Sequence, residues 1–246
     1  MKKCYIYHPF WKTDRILVFM KKYVIIVAGG TGSRMGGEVP KQFLLLAGKP
    51  VLMHTIEAFY HFDHEIEIIV VLHSNFFDYW KQLCVDEGFQ ISHTLVQGGT
   101  MRYHSVRNGL ELIHGEGLVA IHDAARPLVS FGLISRTFAE ALTQGSSIPA
   151  LPVTETIRTI EGGKVHMMDR TFLRTIQTPQ VFDIGILKEA YQQPYQNSFT
   201  DDAAVVETMG RSIHLTDGDP RNIKITHPSD LLIAEVLLSE IKNEIR

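Results

Sequence analysis

Between Val24 and Lys41 the chain reads Val-Ile-Ile-Val-Ala-Gly-Gly-Thr-Gly-Ser-Arg-Met-Gly-Gly-Glu-Val-Pro-Lys. An apolar, β-branched run there empties into glycines, with Arg34 inside the loop and Lys41 after it. Glycines without a Cβ let backbone N–H groups converge on an anion. Arg34 and Lys41 add full positive charge where a polyphosphate would lie. The residue types point to a nucleotide site. The dinucleotide fingerprint fails, because from Gly30 and Gly32 its third glycine would fall at Met35. The P-loop also fails, because no Gly-Lys-Ser/Thr follows. A βα turn that is glycine-rich only to pack helix on strand is the bland alternative. The cations, with Pro40 stiffening the second, weigh against it.

A second glycine pair, Gly98-Gly99, ends a strand-like run, and Ser105 follows near the start of a helical one. The pair permits close approach of a flat ligand such as a base, while Arg102 and Arg107 read as solvated cations. A third constellation is Ala120-Ile-His-Asp-Ala-Ala-Arg-Pro. Asp123 sits where an apolar strand ends, at the carboxyl edge where open α/β sheets gather ligands. A hard carboxylate there can hold Mg²⁺ or accept from a ribose hydroxyl, and otherwise it caps a helix. Arg126, stiffened by Pro127, has the fork to clamp a phosphate. His122 reads as a structural, hydrogen-bonded histidine. Taken singly, Lys224, Asp169-Arg170 and Thr178-Pro-Gln are unremarkable.

These residues need a scaffold, and the pattern supplies one. Strand-like runs at 23–28, 67–72, 91–96, 118–121, 147–151 and 213–215 alternate with helical stretches at 51–60, 76–87, 104–113, 131–144, 183–192, 201–209 and 229–245. Several central runs are apolar throughout, as strands covered on both faces should be. Residues 152–171 break the rhythm. Two β-prone stretches flank Glu161-Gly-Gly-Lys164, a hairpin signal, so this segment is expected to be a surface arm, either a solvent-exposed flap or one that reaches a second subunit.

With 246 residues, 45% hydrophobic and 21% charged, the chain is long enough for one large α/β domain, expected over 22–246. A net charge of -3 argues against a nucleic-acid partner. Cys4 and Cys84 fit no metal-ligand spacing and point to a reducing, cytoplasmic compartment. No apolar run approaches the ~18 residues of a membrane span. Residues 1–21 read as a poorly ordered extension, with Met20 as a second natural start.

The loop with Arg34, Met35 and Pro40-Lys41 is similar to that of sugar-nucleotide nucleotidyltransferases. Taken together and in order, segments 29–41, 98–106, 122–127, 152–156, 169–170, 178–180, 200–201 and 222–226 resemble the 2-C-methyl-D-erythritol 4-phosphate cytidylyltransferase family of the isoprenoid-precursor pathway. The match covers about residues 22–245. It implies a Rossmann-like three-layer α/β sandwich with a mostly parallel sheet, a protruding β-hairpin arm and a homodimer joined through that arm. It implies that Ala28, Gly29 and Gly30 bind CTP phosphates through backbone amides, and that Arg34 and Lys41 stabilise the transition state. Gly98, Gly99, Ser105, Asp123 and Ala124 would hold the nucleotide, with Mg²⁺ at Asp123. The resemblance further assigns Arg126, Thr156 and Thr178 to the polyol phosphate, and Arg170 and Lys224 to its positioning. Thr156 and Arg170 would come from the other subunit. Rival readings are ribitol 5-phosphate cytidylyltransferase, which shares nearly all these motifs, and a non-catalytic CTP-binding module. A serine hydrolase, raised by His122-Asp123, lacks its Gly-x-Ser-x-Gly elbow.

Overall fold

The computed structural model describes residues 20–29 and 40–244. The expected extension, apart from Met20 and Lys21, lies outside the described residues, as do Gly30, Gly32 and Arg34. Strand β1 (Lys22–Val27) is followed by a small antiparallel pair, β2 (Leu45–Leu46) and β3 (Lys49–Pro50), and by helix α1 (Val51–Phe62). Then come β4 (Glu67–Leu72), α2 (Phe77–Asp86), β5 (Thr94–Gln97), α3 (Arg102–Glu111), β6 (Leu118–Asp123) and α4 (Phe131–Gln144). The second half runs β7 (Ser146–Pro152), the hairpin β8 (Arg158–Glu161) and β9 (Lys164–Met167), β10 (Arg174–Ile176), β11 (Gln180–Asp183), α5 (Ile184–Ala190), α6 (Asp202–Glu207), β12 (Leu215–Asp217) and α7 (Pro228–Glu244).

The main sheet has the order β10-β7-β11-β6-β1-β4-β5, with β12 alongside β7. Its core is parallel: β1 pairs in parallel with both β4 and β6, and β4 with β5. Side chains on β1 alternate between faces, as the strand period requires. Val24 and Ile26 enter a cluster with Phe59 of α1, Trp80 of α2 and Phe138 of α4. Tyr23 and Ile25 enter a second cluster with Val106 of α3, Leu187 of α5 and Val206 of α6. Helices therefore cover both faces, which gives the expected three layers. A third cluster seats α7 through Ala234, against Leu46, Leu128 and Ile225.

The structure corrects several sequence expectations. β11 was not anticipated; it lies antiparallel between β6 and β7 and makes the sheet mixed. β12 occupies 215–217 rather than 213–215, because pairing of Leu215 with Ile148 and Asp217 with Ala150 sets its register. Helix α3 starts at Arg102 instead of His104, which puts Arg102 in its first turn. The arm turns at Gly162 and Gly163 with φ of 56° and 78°, the left-handed geometry a two-residue hairpin loop demands.

Candidate active site

Strands β1, β4, β5 and β6 end together, and backbone hydrogen bonds clasp the exits. Ala28 N–H donates to Val71 O at 2.8 Å, Gly98 N–H to Leu72 O at 2.9 Å and Ala124 N–H to Val27 O at 3.1 Å. The carbonyl of Ala28 accepts from buried Gln42 Nε2 at 2.8 Å. Ala28 and Gly98 thus spend their amides on architecture, which corrects the expectation that the Ala28 amide meets a CTP phosphate. The two glycine loops then come close: a Cβ on Gly98 would lie 3.7 Å from Gly29 Cα, and one on Gly99 would lie 2.3 Å from His104 Cβ. No side chain fits at Gly99. Ser105, only 2% exposed, ties this loop down, since its Oγ accepts from Gly99 N–H at 3.1 Å and donates to Met101 O at 3.2 Å. The first turn of α3, whose N-cap Met101 makes no side-chain cap bond, borders the same cleft, so its backbone dipole favours an anion there.

Charge concentrates on Asp123. Lys224 Nζ lies 2.8 Å from its Oδ2, Arg126 Nε 3.7 Å from the same oxygen, and Arg102 Nε 3.7 Å from Oδ1. Burial opposes its ionisation, but Arg102, Lys224 and Arg126 together hold the carboxyl well below the usual carboxylate range. Lys41 Nζ donates to Ile225 O at 3.1 Å. A cleft of about 270 Å³ opens over this arrangement.

Behind Asp123 stands a rigid support. The hydroxyl of Thr178 accepts from Asp123 N–H at 3.1 Å, so its own proton is directed to His122 Nδ1 at 3.1 Å. His122 Nε2–H then donates to Arg126 O at 3.1 Å, which fixes a neutral tautomer. Burial pushes the His122 pKa down to about 4. His122 is structural, in line with its sequence reading. Arg126 Nη1 donates to Asn222 O at 2.7 Å, and Asn222 Nδ2 to Thr178 O at 2.8 Å.

Of the residues singled out in the sequence, Ala28, Gly29, Lys41 and Gly99 line the cleft. So do Ser105, Asp123, Ala124 and Lys224, and Gly98 lies beside Gly29. Arg126 and Thr178 sit in the support behind Asp123. Thr156 and Arg170 are exposed on the arm, apart from the cleft lining, with Arg170 Nη1 donating to Thr154 O. Gly30 and Arg34 lie outside the described residues. Two contributors escaped the sequence reading. Arg102 is not a solvated surface cation; its side chain is 28% exposed and bridges Asp123 to the fully buried Asp202. Gln42, 3% exposed, is the other, and only its place beside Lys41 hinted at it.

Residues 22–240 match the family model for 2-C-methyl-D-erythritol 4-phosphate cytidylyltransferase. A protein of that name from Phocaeicola vulgatus is 51% identical over 219 residues, covering 89% of this chain and 100% of the relative. Another from Bacteroides fragilis is 49% identical with the same coverage. Among solved structures, 4-diphosphocytidyl-2C-methyl-D-erythritol synthase from Anaerococcus prevotii aligns with TM-score 0.76 at 27% identity, over 89% of this chain and 99% of that one. The 2-C-methyl-D-erythritol 4-phosphate cytidylyltransferase of Thermus thermophilus aligns with TM-score 0.70 at 32% identity, over 89% and 98%.

Proposed function

The chain belongs to the 2-C-methyl-D-erythritol 4-phosphate cytidylyltransferase family, and from that premise we propose how its cleft works. The enzyme is a nucleotidyltransferase that moves a cytidylyl group from CTP to 2-C-methyl-D-erythritol 4-phosphate in isoprenoid precursor biosynthesis, with pyrophosphate as the second product. A substrate phosphate oxygen attacks the α-phosphorus of CTP in line. That oxygen is already anionic near neutral pH, so the reaction requires no nucleophilic side chain. It requires two mutually repelling anions to be aligned and the charge on the α-phosphate to be neutralised.

The observation that carries the reading is the meeting of Lys41, Lys224 and Asp123 at glycine loops on the carboxyl edge of the sheet. CTP phosphates lie along the loop beyond Ala28, met by the amides of Gly29 and Gly30, with Arg34 and Lys41 stabilising the transition state. Gly98, Gly99 and Ser105 shape the wall against cytosine and ribose. Lys224, 40% exposed, leaves Asp123 for the incoming phosphate of the polyol. Arg126 and Thr178 shape the acceptor side from behind Asp123, while Arg170 and Thr156 reach it from the arm of a second subunit in a homodimer.

Among the described residues no three His, Cys, Asp or Glu side chains gather as a metal cage. Asp123 nonetheless offers one carboxylate in the cleft, and Mg²⁺ characteristically takes one or two carboxylates plus substrate phosphates. The donor set fits Mg²⁺ carried in with the nucleotide, where Asp123 would hold it and the ion would supply further positive charge to the phosphates. No helix among the described residues is long and apolar enough to cross a membrane; we place the enzyme in the cytoplasm.

Pyrophosphate release tests the reading directly. With CTP and Mg²⁺, 2-C-methyl-D-erythritol 4-phosphate is expected to support steady turnover and ribitol 5-phosphate to support little. Preference for ribitol 5-phosphate would overturn the acceptor. CTP binding without pyrophosphate from either acceptor would overturn catalysis.

A further inference from the structure

We infer that Asp202, acting through Arg102, is a positioning residue that keeps one oxygen of Asp123 open to the nucleotide; the inference rests on the nucleotide role proposed for Asp123. Asp202 is 0% exposed and fixed on every side. Its Oδ1 accepts from Tyr191 OH at 2.6 Å and its Oδ2 from Arg102 Nη2 at 2.7 Å. Its backbone N–H and that of Ala203 donate to Gln180 Oε1 at 3.1 and 3.0 Å. Gln180 is in turn held by Asp201 Oδ2 at 2.8 Å.

Anchored in this way, Arg102 stops short of Asp123. Its Nε is 3.7 Å from Oδ1, which is ion-pair range but too long for a hydrogen bond. Oδ2 is already taken by Lys224 at 2.8 Å. Among the described residues none donates a short hydrogen bond to Oδ1. A guanidinium facing a carboxylate ordinarily closes on it with two parallel bonds. Here the fork is divided between two carboxylates, and the buried one holds the shorter contact. If Asp202 lost its charge, the whole pull on Arg102 would come from Asp123, and Arg102 would close over Oδ1. An electropositive group of the nucleotide complex, either a ribose hydroxyl or the accompanying divalent cation, would then have to displace it. The penalty falls on nucleotide binding rather than on the chemical step.

Calorimetric titration with CTP, in Mg²⁺ and in EDTA, tests this on the full chain. Asp202→Asn is expected to weaken CTP about tenfold, the scale of one blocked charge-assisted hydrogen bond, with kcat changed less than about threefold. Adding Arg102→Gln to that variant removes the obstructing cation and is expected to restore the Kd to within about threefold of wild type. A loss in both media places a hydroxyl at Oδ1, and a loss only with Mg²⁺ places the cation there; either sustains the inference. Wild-type affinity in Asp202→Asn, or no recovery in the double variant, overturns it. If Asp202→Asn does not fold, the double variant decides: affinity near wild type supports the inference, and a tenfold loss overturns it. Asp123→Asn separates the premise, since unchanged CTP binding there would mean that Asp123 has no nucleotide role at all.

Discussion

His122 shows how much one buried side chain can govern. Its two ring nitrogens are committed to Thr178 and Arg126, and Phe59 packs edge-on at 5.0 Å. Charging it would strip a buried cation of water and turn the Thr178 hydroxyl from donor to acceptor, a cost the nearby Asp123 carboxylate only partly offsets. Its pKa accordingly falls from the ordinary 6.5 to about 4 in the fold. Between those values the unfolded chain binds more protons than the folded one, so stability must decline as pH falls. The full effect amounts to roughly 3 kcal/mol, reached near pH 4. His93, also lowered by burial, acts with the same sign. The carboxylates Asp63, Asp123 and Asp230 have folded values below normal, so what they contribute is kept until pH drops through the acid range. Urea unfolding at pH 7.5, 6 and 5 should therefore show loss beginning just below 6.5. A flat profile over that interval would show that His122 is not held neutral.

Helix α3 places the glycine wall of the cleft, and it does so by lying unusually close to β1. A Cβ on Gly109 would sit 2.9 Å from Cγ2 of Ile25, a stiff β-branched residue that is 0% exposed. Gly109→Val is expected to cost about 2 kcal/mol or more by denaturant titration, as overpacking does. Unchanged stability would mean that α3 can slide outward freely. Elements of this kind were legible in sequence to the extent that their signals were local. β1, β4 and β6 are covered on both faces, so each announced itself as an unbroken apolar run. The arm was readable because two glycines demand one kind of turn. β11 was not, because Gln180-Val-Phe-Asp183 is short and polar-ended, and only its neighbours β6 and β7 make it a strand. At the site, Asp123 was readable from the strand it ends. Arg102 was misread because what makes it part of the site is Asp202, one hundred residues away in the chain.

At the scale of the whole molecule the arm is the unfinished part. Among the described residues β8 and β9 pair only with each other; Ile160 and Met167 on them are 75% and 73% exposed, and Phe172 just past the arm is 85% exposed. A lone two-stranded hairpin is marginal in water, and apolar side chains gathered on one protrusion call for a cover. A second copy related by a two-fold axis would give each arm an equivalent surface and deliver Arg170 and Thr156 to its partner's cleft. Shared sites can be recognised by mixing. Lys41→Ala and Arg170→Ala should each lose turnover when assayed alone, Lys41→Ala by about 10²–10³ as for other preorganised charge stabilisers. Mixed dimers would then hold one site with both defects and one with neither. After subunit exchange at equal concentrations, pyrophosphate release should climb to about a quarter of wild type, because half the dimers are mixed and each has one intact site. Arms acting within their own subunit would leave every site defective, and mixing would restore nothing.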